Sequence, residues 1–433
     1  MNVLVTNTRA PQAYAVIRAL RPHAAKIVAT MEGGNRFLAR LSHAANSRFV
    51  DRRYFVPSVG EDWGAGNIKK ETTEREEAFI KAIVEICRKE KIDTIFPSLD
   101  PYVYVFAKCK GMFERMGVVI PVPDYETALT ALDKYRTIQA AQEVGFPCPR
   151  TYLCESPEDL GRIAEKEGFP LVIKPRFTCG GLGMAIVRDF RELAETFPAV
   201  AQNHGNPMIQ EYIPGGQRGS VQFVLDRNGQ MIFAFRKKRH RKFRLTARFG
   251  TVSESERPDE QVSNTARLVS RLGWRGAMGI ETMVDPRDGL HKLMEINPRF
   301  PRQLWNRTEL GINEPLLCVK IARQEDVEPV VDYPVGILFV SPVEDILLLG
   351  MQVLDLLMYR VRINVRGVVP VDPLSAPPPF KELMRSFLHT YSRGHRKVLD
   401  PYFRHFFQDP LASALWWLQF STWVAAGWKH LGK

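Results

Sequence analysis

The feature that most constrains this sequence is a segment in which two apolar runs flank a short polar turn. Residues 275–300 are RGAMGIETMVDPRDGLHKLMEINPRF, and this pattern predicts an antiparallel hairpin. Because side chains alternate along a strand, Glu281 on the first strand and Glu295 on the second can lie side by side, with Asn297 on the same face. Two acids in an apolar setting repel each other, so the hairpin predicts a site for a cation.

Oxygen ligands of this kind suit Mg²⁺ that is bound together with substrate phosphates. Arg299 follows in register with Glu295 and Asn297, where a guanidinium can stabilise charge on a transferring phosphoryl group or an acyl-phosphate. A structural role for the two acids without a metal is the alternative interpretation.

A second segment, LVIKPRFTCGGLGMAIV at 171–187, places Lys174 before a loop with Gly180, Gly181 and Gly183. It is not a Walker A motif, because the lysine precedes the glycines and no Gly-Lys-Ser/Thr follows. The apolar run after the loop predicts a second strand and therefore a hairpin. Loop N–H groups and the lysine could contact phosphate oxygens, although a plain glycine-rich hairpin fits the pattern equally well.

The first 120 residues alternate short apolar strands with amphipathic helices, as in NVLVTN, PQAYAVIRALRP and KIVAT. This alternation predicts a parallel, doubly wound sheet. The first turn lacks G-x-G-x-x-G, so a dinucleotide site is not expected there. Arg9 and Asp100 follow predicted strands, where they are either substrate contacts or solvated loop residues.

Composition excludes disordered and fibrous classes, since 433 residues with 45% hydrophobic content can bury a core. A net charge of +12 and a pI near 9.4 favour acidic partners. The six cysteines lack zinc-ligand spacing and are expected to be reduced thiols. No signal peptide is recognised at the N-terminus, so we expect synthesis in the cytoplasm.

The order of LDKYRT, LVIKPR, the glycine loop, QEYIPGG, a strand acid and MEINPR resembles the ATP-grasp superfamily over residues 1 to 325. Among its members, the carboxylate–amine ligases are the most similar, and FGTVSES at 249–255 is similar to a segment of single-chain examples. The implied fold is α/β and α+β: an N-terminal pre-ATP-grasp α/β domain, a two-subdomain ATP-grasp fold and a helical C-terminal extension. The predicted boundaries are 1–120, 121–325 (lid 121–206, metal-binding subdomain 207–325) and 326–433.

The resemblance implies ATP and one or two Mg²⁺, with Mn²⁺ as an allowed substitute. The implied phosphate contacts are Lys134, Lys174, Gly180, Gly181 and Gly183. The adenine would meet the backbone around Gln210, Glu211 and Ile213, while Glu281, Glu295 and Asn297 would hold metal. Gln217 stands where many members have an acid that binds the ribose, which puts that contact in doubt.

The basic run RKKRHRKFR at 236–244 allows three interpretations. It can be a solvated face or, with little aromatic interleaving, a weak candidate for nucleic-acid binding. It also resembles the stretch where some ATP-grasp enzymes place a lysine near the transferred phosphate, which would make Lys242 or His240 an active-site residue.

The tail PLASALWWLQFSTWVAAGW at 410–428 has no charge and four tryptophans, Trp416, Trp417, Trp423 and Trp428. It can pack against the protein, lie as an interfacial helix on an anionic membrane, or form a marginal transmembrane span.

The predicted function is an ADP-forming ligase that activates a small-molecule carboxylate as an acyl-phosphate and joins it to an amine. Two alternatives are a bicarbonate-activating enzyme and a non-catalytic nucleotide-binding membrane adaptor. We expect a cytoplasmic protein, peripheral at the inner face of the membrane if the tail binds lipid, with a homo-oligomer allowed and nucleic acid disfavoured. Arg302, Trp305 and Arg307 predict a bulky, basic acceptor pocket.

Overall fold

A computed structural model describes residues 1–59, 63, 68, 70–178, 181–214, 218–243, 246–258, 260–330, 332–360, 378–392, 394 and 396–429. Its strands form three sheets, of four, four and seven strands. The five described cysteines are free thiols, as predicted, and Cys179 lies outside the described residues.

The first sheet is parallel, in the order β3-β2-β1-β4. Val3 and Val5 pack against the first helix, whereas Leu4 and Val28 pack against the helices of the other face, so the sheet is doubly wound as predicted. Its elements are β1 Asn2–Val5, α1 Pro11–Leu20, β2 Lys26–Glu32, α2 Arg36–Arg40, β3 Arg52–Val56, α3 Glu74–Glu90, β4 Thr94–Phe96 and α4 Asp100–Arg115.

The second sheet is small and antiparallel, in the order β5-β8-β6-β7. Its elements, with two preceding helices, are α5 Tyr125–Leu132, α6 Lys134–Glu143, β5 Thr151–Leu153, α7 Pro157–Glu167, β6 Leu171–Lys174, β7 Ala185–Val187, α8 Phe190–His204 and β8 Met208–Glu211. Strand β8 lies after the boundary predicted between 206 and 207, yet it belongs to the small sheet. Strand β8 pairs with β6, because its apolar residues complete the core of the small sheet.

The third sheet has seven strands in the order β13-β12-β9-β10-β11-β14-β15. One of its faces is apolar and packs on α6 and α9 around Trp274 and Met278. Its elements are β9 Arg218–Leu225, β10 Met231–Phe243, β11 Thr246–Glu256, α9 Glu260–Arg271, β12 Gly276–Val284, β13 His291–Asn297, α10 Trp305–Thr308 and α11 Glu314–Ala322.

The C-terminal segment was predicted as a helical extension, but it also contributes two strands to the large sheet. Strand β14 pairs with β11, and β15 pairs with β14. Four helices accompany these strands. The elements are β14 Leu338–Val340, α12 Pro342–Arg360, α13 Phe380–Tyr391, β15 Lys397–Leu399, α14 Pro401–Arg404 and α15 Pro410–Lys429.

The described half of the Trp-rich tail is part of the protein core. Trp416 is 1% exposed, stacks on Tyr402 and donates from its indole Nε1 to Glu344 at 3.0 Å. Phe420 is fully buried nearby. Packing on the protein, one of the three interpretations of the tail, therefore holds for these residues, while the side chains of Trp423 and Trp428 lie outside the described set. Within the described part of the chain, no helix is both long and apolar enough to cross a membrane.

Candidate functional site

Two glutamates lie directly opposite each other on the predicted hairpin. Glu281 on β12 is the register partner of Glu295 on β13, and Asn297 is the partner of Gly279 in the next row on the same face. Like charges in directly opposed positions destabilise a sheet unless a cation separates them. This pair is therefore the strongest indication of a site on the polar face of the large sheet.

The Glu295 carboxyl keeps its charge despite its burial. Burial raises its pKa, but the positive charges of Lys134, Lys174 and Arg299 lower it by more, so the net pKa lies below its ordinary value. A permanent carboxylate beside Glu281 and Asn297 suits a hard divalent cation.

Among the described residues, no three His, Cys, Asp or Glu side chains come together as a metal cluster. A metal held here would take Glu281, Glu295 and the amide oxygen of Asn297 as its protein ligands. Mg²⁺ fits such a set, because it commonly binds through one or two carboxylates and completes its shell with water and substrate phosphates.

Lys174 ends strand β6 of the small sheet and interacts electrostatically with both glutamates. Its ammonium Nζ donates to the Oε1 atom of Gln210 at 3.0 Å. Burial lowers the pKa of Lys174 to about 8; the charge of Glu295 opposes this shift, and that of Lys134 adds to it. The small sheet therefore brings a lysine to the carboxylates of the large sheet.

Lys134 begins helix α6 and is tied to the loop that follows β6. Its Nζ donates to the carbonyl oxygen of Thr178 and, at 3.4 Å, to that of Arg176. The Arg176 guanidinium in turn binds the carboxylate of Asp133, whose side chain caps the helix. The lysine thus sits at the base of the glycine loop, as the predicted phosphate role requires.

The glycine loop joins two antiparallel strands, so the predicted hairpin is confirmed. Gly181 and Gly183 have φ angles of 75° and 71°, a conformation that favours glycine. A Cβ atom at Gly183 would also lie 2.4 Å from the His204 ring. Gly180 lies outside the described residues, and so does Gln217.

The predicted adenine segment lies at the end of strand β8. The Gln210 amide donates to the Thr151 hydroxyl at 2.8 Å, in addition to accepting from Lys174. The Glu211 carboxylate forms an ion pair with Arg150 at 2.6 Å, and Ile213 is buried. Gln210 and Glu211 are thus anchored at the small-sheet end of the site, and adenine binding at their backbone remains a prediction.

The sequence analysis missed a row of polar residues that continues the glutamate pair across the sheet. Ser220 on β9 is the partner of Glu281, and Lys237 on β10 is the partner of Ser220. Arg218 and Arg239 lie two residues away on the same face of their strands, where both act electrostatically on Glu281 or Glu295. The polar face is therefore cationic on the side of the carboxylates formed by β9 and β10.

Lys237 is 6% exposed, and its Nζ donates to the Oε1 atom of Gln303 at 2.7 Å. Burial lowers its pKa far below the ordinary value, and the neighbouring Arg239 and Arg307 charges lower it further. The basic run thus contributes Lys237 and Arg239 to the site. Period-two alternation within 236–244 was the available signal, but it needed the register with β9.

Of the two residues predicted from that run, Lys242 and His240, the structure describes the side chain of His240. His240 is exposed, and its Nε2 lies 2.5 Å from the carboxylate of Glu254 on β11. Arg241 forms a buried ion pair with Asp345 at 2.8 Å. The side chain of Lys242 lies outside the described residues, so its catalytic role stays a prediction.

Arg299 reaches the first sheet. Its guanidinium Nε donates to the Asp100 carboxylate at 2.7 Å, which brings these two predicted residues together.

The predicted basic acceptor pocket is wrong for two of its three members. Trp305 packs in the core against Phe339, and Arg307 is fully buried with Glu314. The third, Arg302, pairs with Glu344 at 2.7 Å.

Comparison with known proteins agrees with this arrangement. Residues 131–302 match the family model of the ATP-grasp domain. Over 216 residues the chain is 26% identical to a D-alanine–D-alanine ligase from Pseudomonas entomophila, which covers 48% of this chain and 68% of that enzyme. Over 119 residues it is 29% identical to the carbamoyl phosphate synthase large chain of Pseudomonas putida, which covers 27% of this chain but only 11% of that protein.

The fold matches over a longer range than the sequence. The biotin carboxylase of Campylobacter jejuni, solved as a complex with β-γ-ATP, superposes with a TM-score of 0.62 at 16% identity. The match covers 78% of this chain and 74% of that one. It therefore includes segments outside the range of the family model.

Proposed function

The chain contains an ATP-grasp domain, and from that premise we propose that it is an ADP-forming carboxylate–amine ligase. In this reaction a substrate carboxylate oxygen attacks the γ-phosphorus of ATP, the bond to ADP breaks, and an acyl-phosphate forms. The nitrogen of an amine then attacks the acyl carbon and phosphate leaves. The relatives named above are ligases or ATP-dependent enzymes of carboxyl and bicarbonate substrates, which supports this class.

The observation that carries the proposal is the opposed pair of Glu281 and Glu295 with Lys174 acting on both. In the proposed site these glutamates and Asn297 hold Mg²⁺, which when bound neutralises phosphate charge. Lys174 and Lys134 contact the phosphates. The hairpin with Gly181 and Gly183 covers them and excludes water, so that the acyl-phosphate is kept from hydrolysis.

Three arginines are candidates for stabilising the charge that develops during phosphoryl transfer. Arg218 and Arg239 share the polar face with the glutamates, and Arg299 follows Asn297 by two residues. In the structure Arg299 binds Asp100, so its predicted role at the phosphoryl group requires a shift of its guanidinium or a shared contact. Arg218 and Arg239 are not in an ion pair of this kind among the described contacts.

The direct test is ADP release from Mg-ATP across a panel of carboxylates, with hydroxylamine present as a general nucleophile that traps acyl-phosphates as hydroxamates. Glu295→Gln is expected to reduce carboxylate-dependent ADP release by about 100-fold or more, since even groups that only orient metal ligands are worth about 10–100-fold. Glu254→Gln is the matched control, because this strand carboxylate binds exposed His240 and should leave turnover unchanged.

Two results would replace the proposal with one of its alternatives. ADP release that depends on bicarbonate, with no response to other carboxylates, would indicate a bicarbonate-activating enzyme. ATP binding with no ADP release from any carboxylate would indicate a nucleotide-binding protein without turnover.

Attachment to an anionic membrane, predicted from the tail, has to use side chains that the core leaves exposed. Phe407 is 95% exposed, and Leu411 and Leu418 are about half exposed. Flotation with anionic vesicles tests this, with Phe407→Asp as the variant. If the unaltered protein floats with the vesicles and the Phe407→Asp variant does not, membrane attachment is supported. If the unaltered protein does not float, the membrane hypothesis is removed.

A further inference from the structure

The carboxyl-terminal edge of the first sheet contains a group of buried polar atoms without hydrogen-bond partners. In the order β3-β2-β1-β4, the chain leaves β1 toward β2 on one side, while β4 lies on the other. In open α/β sheets such a reversal opens a crevice beyond the strand ends, where small ligands bind. By this rule the crevice is expected between the residues that follow β1 and those that follow β4.

Three elements bring side chains to this crevice. Val5 on β1 is paired with Phe96 on β4. Asn7 lies two residues after Val5, and Ser98 lies two residues after Phe96. Glu32 is the last residue of β2, and its Oε1 atom accepts from the backbone N–H of Asn7 at 2.6 Å.

Each of these side chains has an atom left over. The Glu32 Oε2, Asn7 Oδ1 and Ser98 Oγ atoms are all buried and have no hydrogen-bond partner among the described residues. Glu32 is only 5% exposed, so water does not readily compensate its second oxygen. Buried polar atoms are rarely left unsatisfied in folded proteins, and such exceptions call for an explanation.

The chemistry of these atoms defines what they can bind. A carboxylate oxygen and an amide oxygen are acceptors only, and a hydroxyl can also accept. A ligand that satisfies all three must therefore bring several N–H or O–H donors, and a positively charged ligand would favour the ionised form of Glu32. A primary ammonium group has three donors and a positive charge.

The backbone at Asn7 is consistent with a functional role. Its φ angle is 53°, in the left-handed region that non-glycine residues seldom adopt, although asparagine tolerates it best. Strained positions of this kind are found preferentially at ligand sites.

We propose that Glu32 and Asn7, with Ser98, bind a protonated amino group of the substrate whose carboxylate is activated. The inference rests on the proposed ligase function and narrows its substrate to an amino acid or another amino-bearing carboxylate. Because a protonated nitrogen has no lone pair, the group bound here is not the attacking amine. Its role is recognition.

The crevice adjoins the metal-binding strand. Asp100 follows Ser98 by two residues and binds Arg299, which follows Asn297 by two residues. Phe96 and Phe300 pack with ring centroids 5.9 Å apart just behind this ion pair. This ion pair links the segment after β4 to the end of β13 that carries the proposed metal ligands.

Burial explains why Glu32 gains from such a partner. It raises the pKa of the Glu32 carboxyl to about 7. The titratable groups that act on this carboxyl are Arg9, in the loop after β1, and Tyr102 on α4. Neither forms an ion pair with it among the described contacts, so an ammonium would be its first close positive partner.

The test compares free amino acids with their N-acetylated forms, using hydroxylamine-trapped ADP release and thermal shift. The variants are Glu32→Gln, which keeps the side-chain shape, and Asn7→Gly, which removes the side chain without straining the positive φ. Glu90→Gln is the control, because Glu90 is a buried acid near the opposite edge of the same sheet, paired with Lys26 at 2.9 Å.

We expect free amino acids to support ADP release, with KM raised about tenfold or more in both variants and kcat changed less than about threefold, as for a lost charged hydrogen bond. The control should match the unaltered protein. Equal activity with acetylated substrates, or an unchanged KM in both variants, would overturn the inference while leaving the ligase intact.

Failure of the ligase proposal would look different. If no carboxylate yields ADP, thermal shift decides the inference alone. A stabilisation by free amino acids that acetylation and Glu32→Gln both remove would support the amino-group site, and the absence of any stabilisation would overturn it.

Discussion

The two buried lysines of the site show how much the surroundings of one side chain determine its charge. Lys174 on the small sheet and Lys237 on the large sheet are 9% and 6% exposed, so both lose hydration to a similar extent. Lys174 interacts with Glu281 and Glu295, and its pKa falls only to about 8. Around Lys237 the charges of Arg239 and Arg307 outweigh that of Glu281, and its pKa falls well below its ordinary value.

The difference between their pKa shifts indicates different roles for the two lysines. At neutral pH Lys174 is mostly charged and can attract phosphate. For Lys237, burial and the neighbouring arginines act in the same direction, so its charged form is disfavoured, and its Nζ donates to Gln303. Burial alone therefore does not identify a phosphate-binding lysine; the balance of the neighbouring charges matters as well.

The largest effect is expected from Lys174→Met. Loss of a charged hydrogen bond of about 1.5–3 kcal/mol corresponds to a KM for ATP raised roughly 10- to 100-fold. Steady-state kinetics at saturating carboxylate measures it. Lys174→Arg, which keeps the charge, should recover part of the loss, and an unchanged KM in Lys174→Met would remove this lysine from the phosphate site.

A smaller and different effect is expected from Lys237→Met. The KM for ATP should change by less than about threefold, because burial and the neighbouring arginines disfavour the charged form of Lys237 and its Nζ is bound to Gln303. The fold should be destabilised by about 1–3 kcal/mol, since the Oε1 atom of buried Gln303 loses its donor. Chemical denaturation measures the second quantity. A tenfold rise in the KM for ATP would show instead that Lys237 contributes to phosphate binding.

The smallest effect is a dependence on pH. Since the pKa of Lys174 is about 8, kcat/KM for ATP should fall by about fourfold between pH 7 and pH 8.5, as the ammonium loses its proton. The loss occurs as pH rises, because the charged form binds phosphate. Lys174→Arg should lack this decline, and a decline that persists in that variant would have to come from another group.

Local patterns predicted the parts of the site that lie within one hairpin. The turn DPRDG and the alternation around Glu281 and Glu295 were sufficient to place the two acids opposite each other. The ATP-grasp fold and the doubly wound first sheet were likewise predicted correctly, since each helix and strand there has its own apolar period.

The missed parts depend on contacts between distant segments. Lys237 joins the site through the register of β10 with β9, which the sequence of β10 does not specify. Strands β14 and β15 have three residues each, too few to show a period. For Trp416, apolar composition alone could not distinguish lipid from protein as its surroundings.

The C-terminal helix has a consequence for how this protein is made. The Gln419 amide Nε2 donates to the carbonyl oxygen of Arg9 at 2.8 Å, across 410 residues of chain. Its Oε1 lies 3.3 Å from Nδ1 of buried His43. At translation rates of about 5–20 residues per second, the loop after β1 emerges from the ribosome on the order of 20–80 s before this partner exists. During that interval the nascent first sheet exposes an apolar surface, which makes it a natural client for chaperones.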